Sequence, residues 1–195
     1  MKIGIDIDGC MIDEDEYRLS YMSKYCFEHG LPEPDLPHAY EHKASWWDWE
    51  MEHAYRPHYH NEYYRNARIR YCCKEVMDKL KEEGHELVLI TGRHPAYEGE
   101  DAYREMEEIT IKWLEDNEIT YDKIVFADYP KTRAILEEKV DVMLDDYEGV
   151  MRVCTKEIPC FCYDCVHNQG LDLPNMYRVY TWYDLYRKIH ELFID

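Results

Sequence analysis

The chain has 195 residues, a third of them charged, and a net charge of −19. That length suits one domain, or one core with a modest insert, and is enough to bury a real core. The acidic excess excludes non-specific binding of a nucleic-acid polymer, which needs a basic surface. No apolar run approaches the length of a membrane span, and a first strand beginning at Lys2 leaves no room for a signal peptide. The expected setting is therefore the cytoplasm, with reduced thiols; the oligomeric state is left open.

Ile3, Ile5 and Ile7 are β-branched and predict a short buried strand that ends in Asp6-Ile7-Asp8-Gly9. Tyr17 to His29 reads as a helix stopped by Gly30. Three prolines between Leu31 and Pro37 make a loop. His38 to about Arg65 is rich in aromatics and histidine, with Trp46, Trp47 and Trp49 close together, and reads as one or two short helices. Residues 14–66 thus form a helical insert, a cap, between the first two strands, leaving 1–13 and 67–195 as the core. Asn66 to Glu83 predicts a strong helix ended by Gly84, then a strand over Glu86 to Ile90. A helix over Asp101 to Asn117, a strand over Lys123 to Ala127, a helix over Thr132 to Glu138 and a strand over Val140 to Leu144 follow. A short helix from Gly149 leads to a fifth strand, Ile158 to Tyr163. Tyr177 to Tyr180 reads as a small edge strand. Thr181 and Asp184 resemble a capping box opening the last helix. This alternation predicts an α/β fold on a parallel sheet.

Four polar groups stand at the carboxyl ends of the predicted strands: Asp6-x-Asp8, Thr91, Lys131 after a turn, and Asp145-Asp146. Open α/β sheets gather ligand-binding groups there. Two carboxylates closing an apolar strand are costly without a compensating charge. Hard oxygen ligands favour Mg²⁺ as that charge.

This arrangement resembles the haloacid dehalogenase-like hydrolases, all four of whose motifs are present over most of the chain. The helical insert and the Ile-Asp-Ile-Asp-Gly start are similar to the deoxy 5′-nucleotidase branch and its bacterial nucleotidases. The resemblance implies a Rossmann-like parallel sheet of order 3-2-1-4-5, with the first and fourth strands side by side. It implies a Mg²⁺-dependent phosphomonoesterase that works through an aspartyl-phosphate on a small phosphorylated substrate, a nucleoside or deoxynucleoside monophosphate. A phosphatase of another small metabolite such as a sugar phosphate, and a non-catalytic phosphate-binding protein, are the alternatives on the same fold. Asp6 is the implied nucleophile and Asp8 the acid–base residue. The Asp6 carboxylate, the Asp8 carbonyl and Asp146 would hold the metal, with Asp145 acting through water. Lys131 would neutralise nucleophile and phosphate; Lys123 is its rival, at the other end of the sheet. The Thr91 hydroxyl, the Gly92 N–H and the backbone N–H groups of Gly9 and Cys10 would hold phosphate.

Some residues carry two readings. Trp46, Trp47, Trp49, Tyr55 and Tyr59 either stack on a base or pack the insert. Arg93 either touches substrate or cap, or makes a surface salt bridge. Cys160-x-Cys162-x-x-Cys165-x-His167 has zinc-like spacing, but Cys160 and Cys162 also alternate on one face of a strand, where cysteine is a small buried residue. The strand reading is preferred, and it expects no stoichiometric zinc.

Overall fold

In the computed structural model of the chain, residues 1–34, 49–95, 99–128 and 130–194 are described. The four- to six-residue apolar runs become strands β1 (Lys2–Ile5), β2 (Glu86–Thr91), β3 (Lys123–Phe126), β4 (Val142–Asp145), β5 (Cys160–Tyr163) and β6 (Met176–Val179). They form one six-stranded sheet of order β3-β2-β1-β4-β5-β6, parallel throughout. The expected order is met, with the edge strand added beside β5. The helices are α1 (Glu14–His29), α2 (Trp49–Asn66), α3 (Cys73–Glu82), α4 (Glu100–Asp116), α5 (Thr132–Glu138), α6 (Glu148–Cys154) and α7 (Trp182–Phe193), with a 3-10 turn at Val166–Asn168.

The described chain divides into two compact units. The first holds residues 1–12, 69–93 and 116–195, including the whole sheet. Side chains alternate along each strand, so Val88 and Ile90 face one way and Leu87 and Leu89 the other; all four are fully buried. Val88 and Ile90 join a cluster with Met143, Cys160 and Cys162 that packs on Ile135 of α5 and on Val150, Met151 and Cys154 of α6. Helices α3 and α7 pack together, burying Val76, Met77 and Leu80 of one and Trp182, Leu185 and Ile189 of the other. Each aliphatic side chain removed from water contributes about 1.5–3 kcal/mol. Thr181 caps α7 as expected, its hydroxyl accepting the Asp184 N–H at 3.0 Å.

The second unit holds residues 13–68 and 94–115. Helices α1 and α2 pack through Met22, Tyr25, Cys26 and Tyr59, with Tyr21 and Tyr55 around them. The Trp113 indole N–H donates to the Ala67 carbonyl at 2.7 Å, and Arg65 pairs with Glu105 at 3.0 Å. No helix among the described residues is long and apolar enough to cross a membrane.

Two local expectations are corrected. The helix expected over Asn66 to Glu83 begins only at Cys73, because Ile69 forms an antiparallel bridge with Ile12 and the Arg70 N–H donates to the Met11 carbonyl at 2.7 Å. Of the one or two short helices expected over His38 to about Arg65, the described part is an 18-residue helix, Trp49–Asn66, longer than expected and running through Pro57. Proline there removes one backbone donor without ending the helix. Trp46 and Trp47 lie outside the described residues.

Candidate active site

Strand register sets the geometry. Ile5 stands opposite Leu144 across the β1–β4 pair, and the Asp6 N–H donates to the Leu144 carbonyl at 2.9 Å. The next residues, Asp6 and Asp145, therefore leave the sheet together at its carboxyl end. Lys131 enters from the turn before α5 and joins them, with Nζ 2.7 Å from Asp6 Oδ1 and 2.8 Å from Asp145 Oδ2. All three are buried. Burial works to lower the lysine's pKa, but Asp145 and Asp6 outweigh it and hold the ammonium above its ordinary range. Burial pushes Asp6 well up; Lys131 opposes that, while Asp145, Asp146 and Asp8 add to it. Asp145 also accepts the Tyr147 N–H at 2.9 Å on its other oxygen.

Asp146 turns elsewhere. Its Oδ2 lies 3.3 Å from His167 Nε2 and 4.0 Å from Cys165 Sγ. Burial raises the carboxyl, while its hydrogen bond with His167 works the other way. That contact, and the one with Cys165, push the imidazole up to about 11 against its burial. Asp6, Cys10 and Asp146 each offer a ligand atom within 4.8 Å of the other two. Burial pushes the Cys10 thiol well up, with Asp146 and Asp6 adding to it, so this cysteine stays protonated and is a poor nucleophile.

Asp8 meets a partner that local sequence did not identify. Arg93 grips it as a fork, Nε lying 3.0 Å from both oxygens and Nη2 2.8 Å from Oδ1. Two-pronged, charge-assisted contacts of this kind are strong and directional. The Arg93 guanidinium is buried, which corrects the surface salt bridge allowed for it. Thr91, at the end of β2, is fully buried, and its hydroxyl accepts the Arg93 N–H at 3.3 Å. Gly92 lies near the Lys131 stem, since a β-carbon there would stand 3.8 Å from its Cδ. Lys123 is half-exposed and pairs with Glu138, away from these groups.

The loop after β1 is tied by residues that carried no motif signal. The Arg70 guanidinium donates to the Gly9 carbonyl at 3.2 Å and lies 4.6 Å over the Tyr163 ring. The Trp182 indole N–H donates to the Cys10 carbonyl at 3.1 Å. An arginine or tryptophan more than 60 positions away leaves no local pattern that would reveal such a contact. The zinc-spaced residues divide: Cys160 and Cys162 sit in the core cluster, whereas Cys165 and His167 stand beside Asp146.

No family model matches the chain. It is 23% identical over 195 residues to a nucleotidase of Clostridium acetobutylicum, covering 99% of this chain and 95% of that one. Among solved structures, one described as a predicted phosphatase from the same organism aligns with a TM-score of 0.68 at 17% identity, over 98% of each chain. A haloacid dehalogenase family hydrolase from Deinococcus radiodurans, solved with bound phosphate and sodium, aligns with a TM-score of 0.65 at 13% identity, over 97% of this chain and 95% of that one. The chain thus has the fold of the haloacid dehalogenase superfamily, and in sequence it is similar to a nucleotidase.

Proposed function

We propose that the chain is a Mg²⁺-dependent phosphomonoesterase, acting through an aspartyl-phosphate on Asp6, with nucleoside monophosphates as its substrates. The observation that carries this reading is the buried contact of Lys131 with both Asp6 and Asp145 at the sheet's carboxyl end. A fixed ammonium beside a carboxylate lets that carboxylate meet an anionic phosphoryl group. The phosphatase and nucleotidase names of the relatives support the reaction class.

The donor set fits a hard cation. Asp6 and Asp146 turn ligand atoms toward one point, while both oxygens of Asp145 are engaged by Lys131 and the Tyr147 N–H. The Asp6 and Asp146 carboxylates and the Asp8 carbonyl would hold Mg²⁺, with Asp145 acting through water. When bound, Mg²⁺ supplies positive charge that offsets the repulsion between carboxylate and phosphate.

Asp6 attacks phosphorus, and the ester oxygen leaves with a proton from Asp8. Water then attacks the acyl-phosphate and gives its proton to Asp8. Both Asp8 oxygens accept from Arg93, so Asp8 leaves this fork to carry a proton. The Thr91 hydroxyl and the N–H groups of Gly92, Gly9 and Cys10 orient the phosphate. Phosphate release should be measured over nucleoside monophosphates, sugar phosphates and p-nitrophenyl phosphate, with Mg²⁺ or with EDTA. Mg²⁺-dependent release, fastest on nucleotides, is expected. Full activity in EDTA would rule out the metal, and faster release from sugar phosphates would replace the substrate class.

A further inference from the structure

The polar cluster around Asp146 continues away from Asp6 into chemistry that the phosphoryl-transfer reading does not use. His167 Nε2 lies 3.3 Å from Cys165 Sγ and 3.3 Å from Asp146 Oδ2, and the sulfur and that oxygen are 4.0 Å apart. The ligand edges of a tetrahedral zinc-type site with sulfur, nitrogen and oxygen donors are about 3.3–3.6 Å. Two of the three observed edges are close to these; the third closes by a few tenths of an ångström, and because His167 Nδ1 also lies 3.4 Å from the sulfur, the imidazole turns to aim Nε2 at the ion.

The surroundings are built to hold these donors. Asn168 is buried, and the two N–H groups of its amide donate to the Asp146 and Tyr163 carbonyls at 2.8 Å each, with Cys165 Sγ beside the same nitrogen. Arg178 in turn holds Asn168, donating to its side-chain oxygen at 2.8 Å and its carbonyl at 2.9 Å, and reaches the Leu171 carbonyl at 2.8 Å. Asn168, itself fixed by an arginine, thus holds the backbone on both sides of the donors, and its side-chain oxygen accepts the Cys165 N–H at 3.3 Å; this is outer support of the kind metal ligands need. The His167 side chain is 27% exposed, which gives an ion a path in.

We propose that Asp146, Cys165 and His167 form a binding site for a zinc-class divalent cation, separate from the magnesium position and sharing only Asp146 with it. Thiolate, imidazole and carboxylate suit borderline-soft ions and disfavour Mg²⁺ and Ca²⁺. Three protein donors leave a fourth position for water. A dication is balanced by one thiolate and one carboxylate, and the protons of Cys165 and His167 pass to solvent as it binds. The ion engages Asp146 Oδ2, leaving at most one oxygen and less negative charge for the magnesium role assigned above, which weakens Mg²⁺ there. This inhibitory consequence, unlike the site itself, rests on the proposed function.

Cobalt is the probe. Metal-free full-length protein titrated with Co²⁺ should show one equivalent bound, with sulfur-to-cobalt charge transfer and the intense visible bands of a tetrahedral ion; Zn²⁺ should erase both. Cys165→Ser should lose the charge-transfer band, and Cys72→Ser should keep it. His167→Gln, at a partly exposed position that tolerates change, should weaken Co²⁺ binding at least about tenfold. Absence of the band in the wild type, or its survival in Cys165→Ser, would overturn the site. In the activity arm, Zn²⁺ added to enzyme in excess Mg²⁺ should slow p-nitrophenyl phosphate hydrolysis, and His167→Gln should need at least about tenfold more zinc. Equal zinc sensitivity beside an intact cobalt band would overturn the link to Asp146. An intact cobalt band in a protein that hydrolyses no phosphate ester would support the site and sink the phosphatase reading.

Discussion

A β-carbon on Gly9 would stand 1.8 Å from Oδ2 of Asp146. The fourth strand's second acid lies directly on the backbone of the loop that follows the first strand, where φ is +78°. Gly9→Ala should therefore fail twice. The left-handed backbone costs roughly 1–2 kcal/mol, and Asp146 is displaced. A shift of about an ångström at such a site costs on the order of 10²-fold in rate. Phosphate-release kinetics with a Mg²⁺ titration would show a lower kcat and a raised metal requirement. Wild-type values for both would mean that Asp146 is not needed where it stands.

Asp6→Asn keeps volume and removes one charge from a crowded buried cluster. Turnover should fall by at least about 10³-fold. Chemical denaturation in EDTA should show the variant at least as stable as the wild type, because Asp6 is held against burial and three neighbouring acids. A large stability loss would make Asp6 a structural residue first.

Arg93 and Asp8 should couple strongly. In a cycle of Arg93→Ala, Asp8→Asn and the double variant, followed by urea unfolding, the coupling should be about 1.5–3 kcal/mol. Arg93→Lys should recover only part of it, since an ammonium cannot form the fork. Simple additivity of the single changes would dissolve the pair as an energetic unit.

Asp145 and Asp146 adjoin in sequence but differ in what they hold. Asp145→Ala strips a partner from Lys131, so it should cost stability of about 3 kcal/mol or more. Asp146→Ala should chiefly raise the Mg²⁺ concentration for half-maximal activity. Measuring both variants for unfolding and Mg²⁺ activation separates the two roles; identical profiles would erase the distinction.

Asp122 gives the fold a readable acid dependence. Both its oxygens meet Lys81 at 2.6 Å and one accepts the Leu87 N–H at 2.7 Å. The Lys81 contact and then the Leu87 N–H outweigh burial and hold its carboxyl below the usual range. A depressed carboxyl stabilises fully above its unfolded value of about 3.9 and loses that contribution as pH falls through the folded one. The Asp122 side chain is over a third exposed, so the pair's contribution is under about 1 kcal/mol. Wild type should exceed Asp122→Asn by that margin at pH 7, and the gap should close as pH falls below about 3.9 and through the depressed folded value. A gap that persists in acid would locate the effect outside the carboxylate's charge.

What was legible in the sequence was whatever a strand's end announces. Asp6, Thr91, Lys131 and Asp145 each follow an apolar run, so a parallel sheet was enough to bring them near one another. The resemblance supplied the order that set β1 beside β4. Arg93 was visible, but its fork on Asp8 spans 85 positions, and no spacing rule reaches that far. The strand reading of Cys160 and Cys162 is met, and the motif's spacing divides for a physical reason. Strand alternation sends Cys160 and Cys162 into the core, and the third neighbour of Cys165 and His167 is Asp146, beyond β4. The break before α3 was hidden because residues 67–72 have helical propensity, and the bridge between Ile69 and Ile12 overrides it.

The central position of β1 has a consequence for how the chain is made. Lys2–Ile5 is made before both of its hydrogen-bonding neighbours, which begin at Glu86 on one side and Val142 on the other. At about 5–20 residues per second, translation withholds the second neighbour for roughly ten to thirty seconds. Both edges of an isoleucine-rich strand are unpaired until β2 is made, and one edge stays open, with the two aspartates that follow it, until β4 is made. The nascent protein therefore passes through a state open to chaperones and to aggregation, and its reactive end is completed only when β4 arrives.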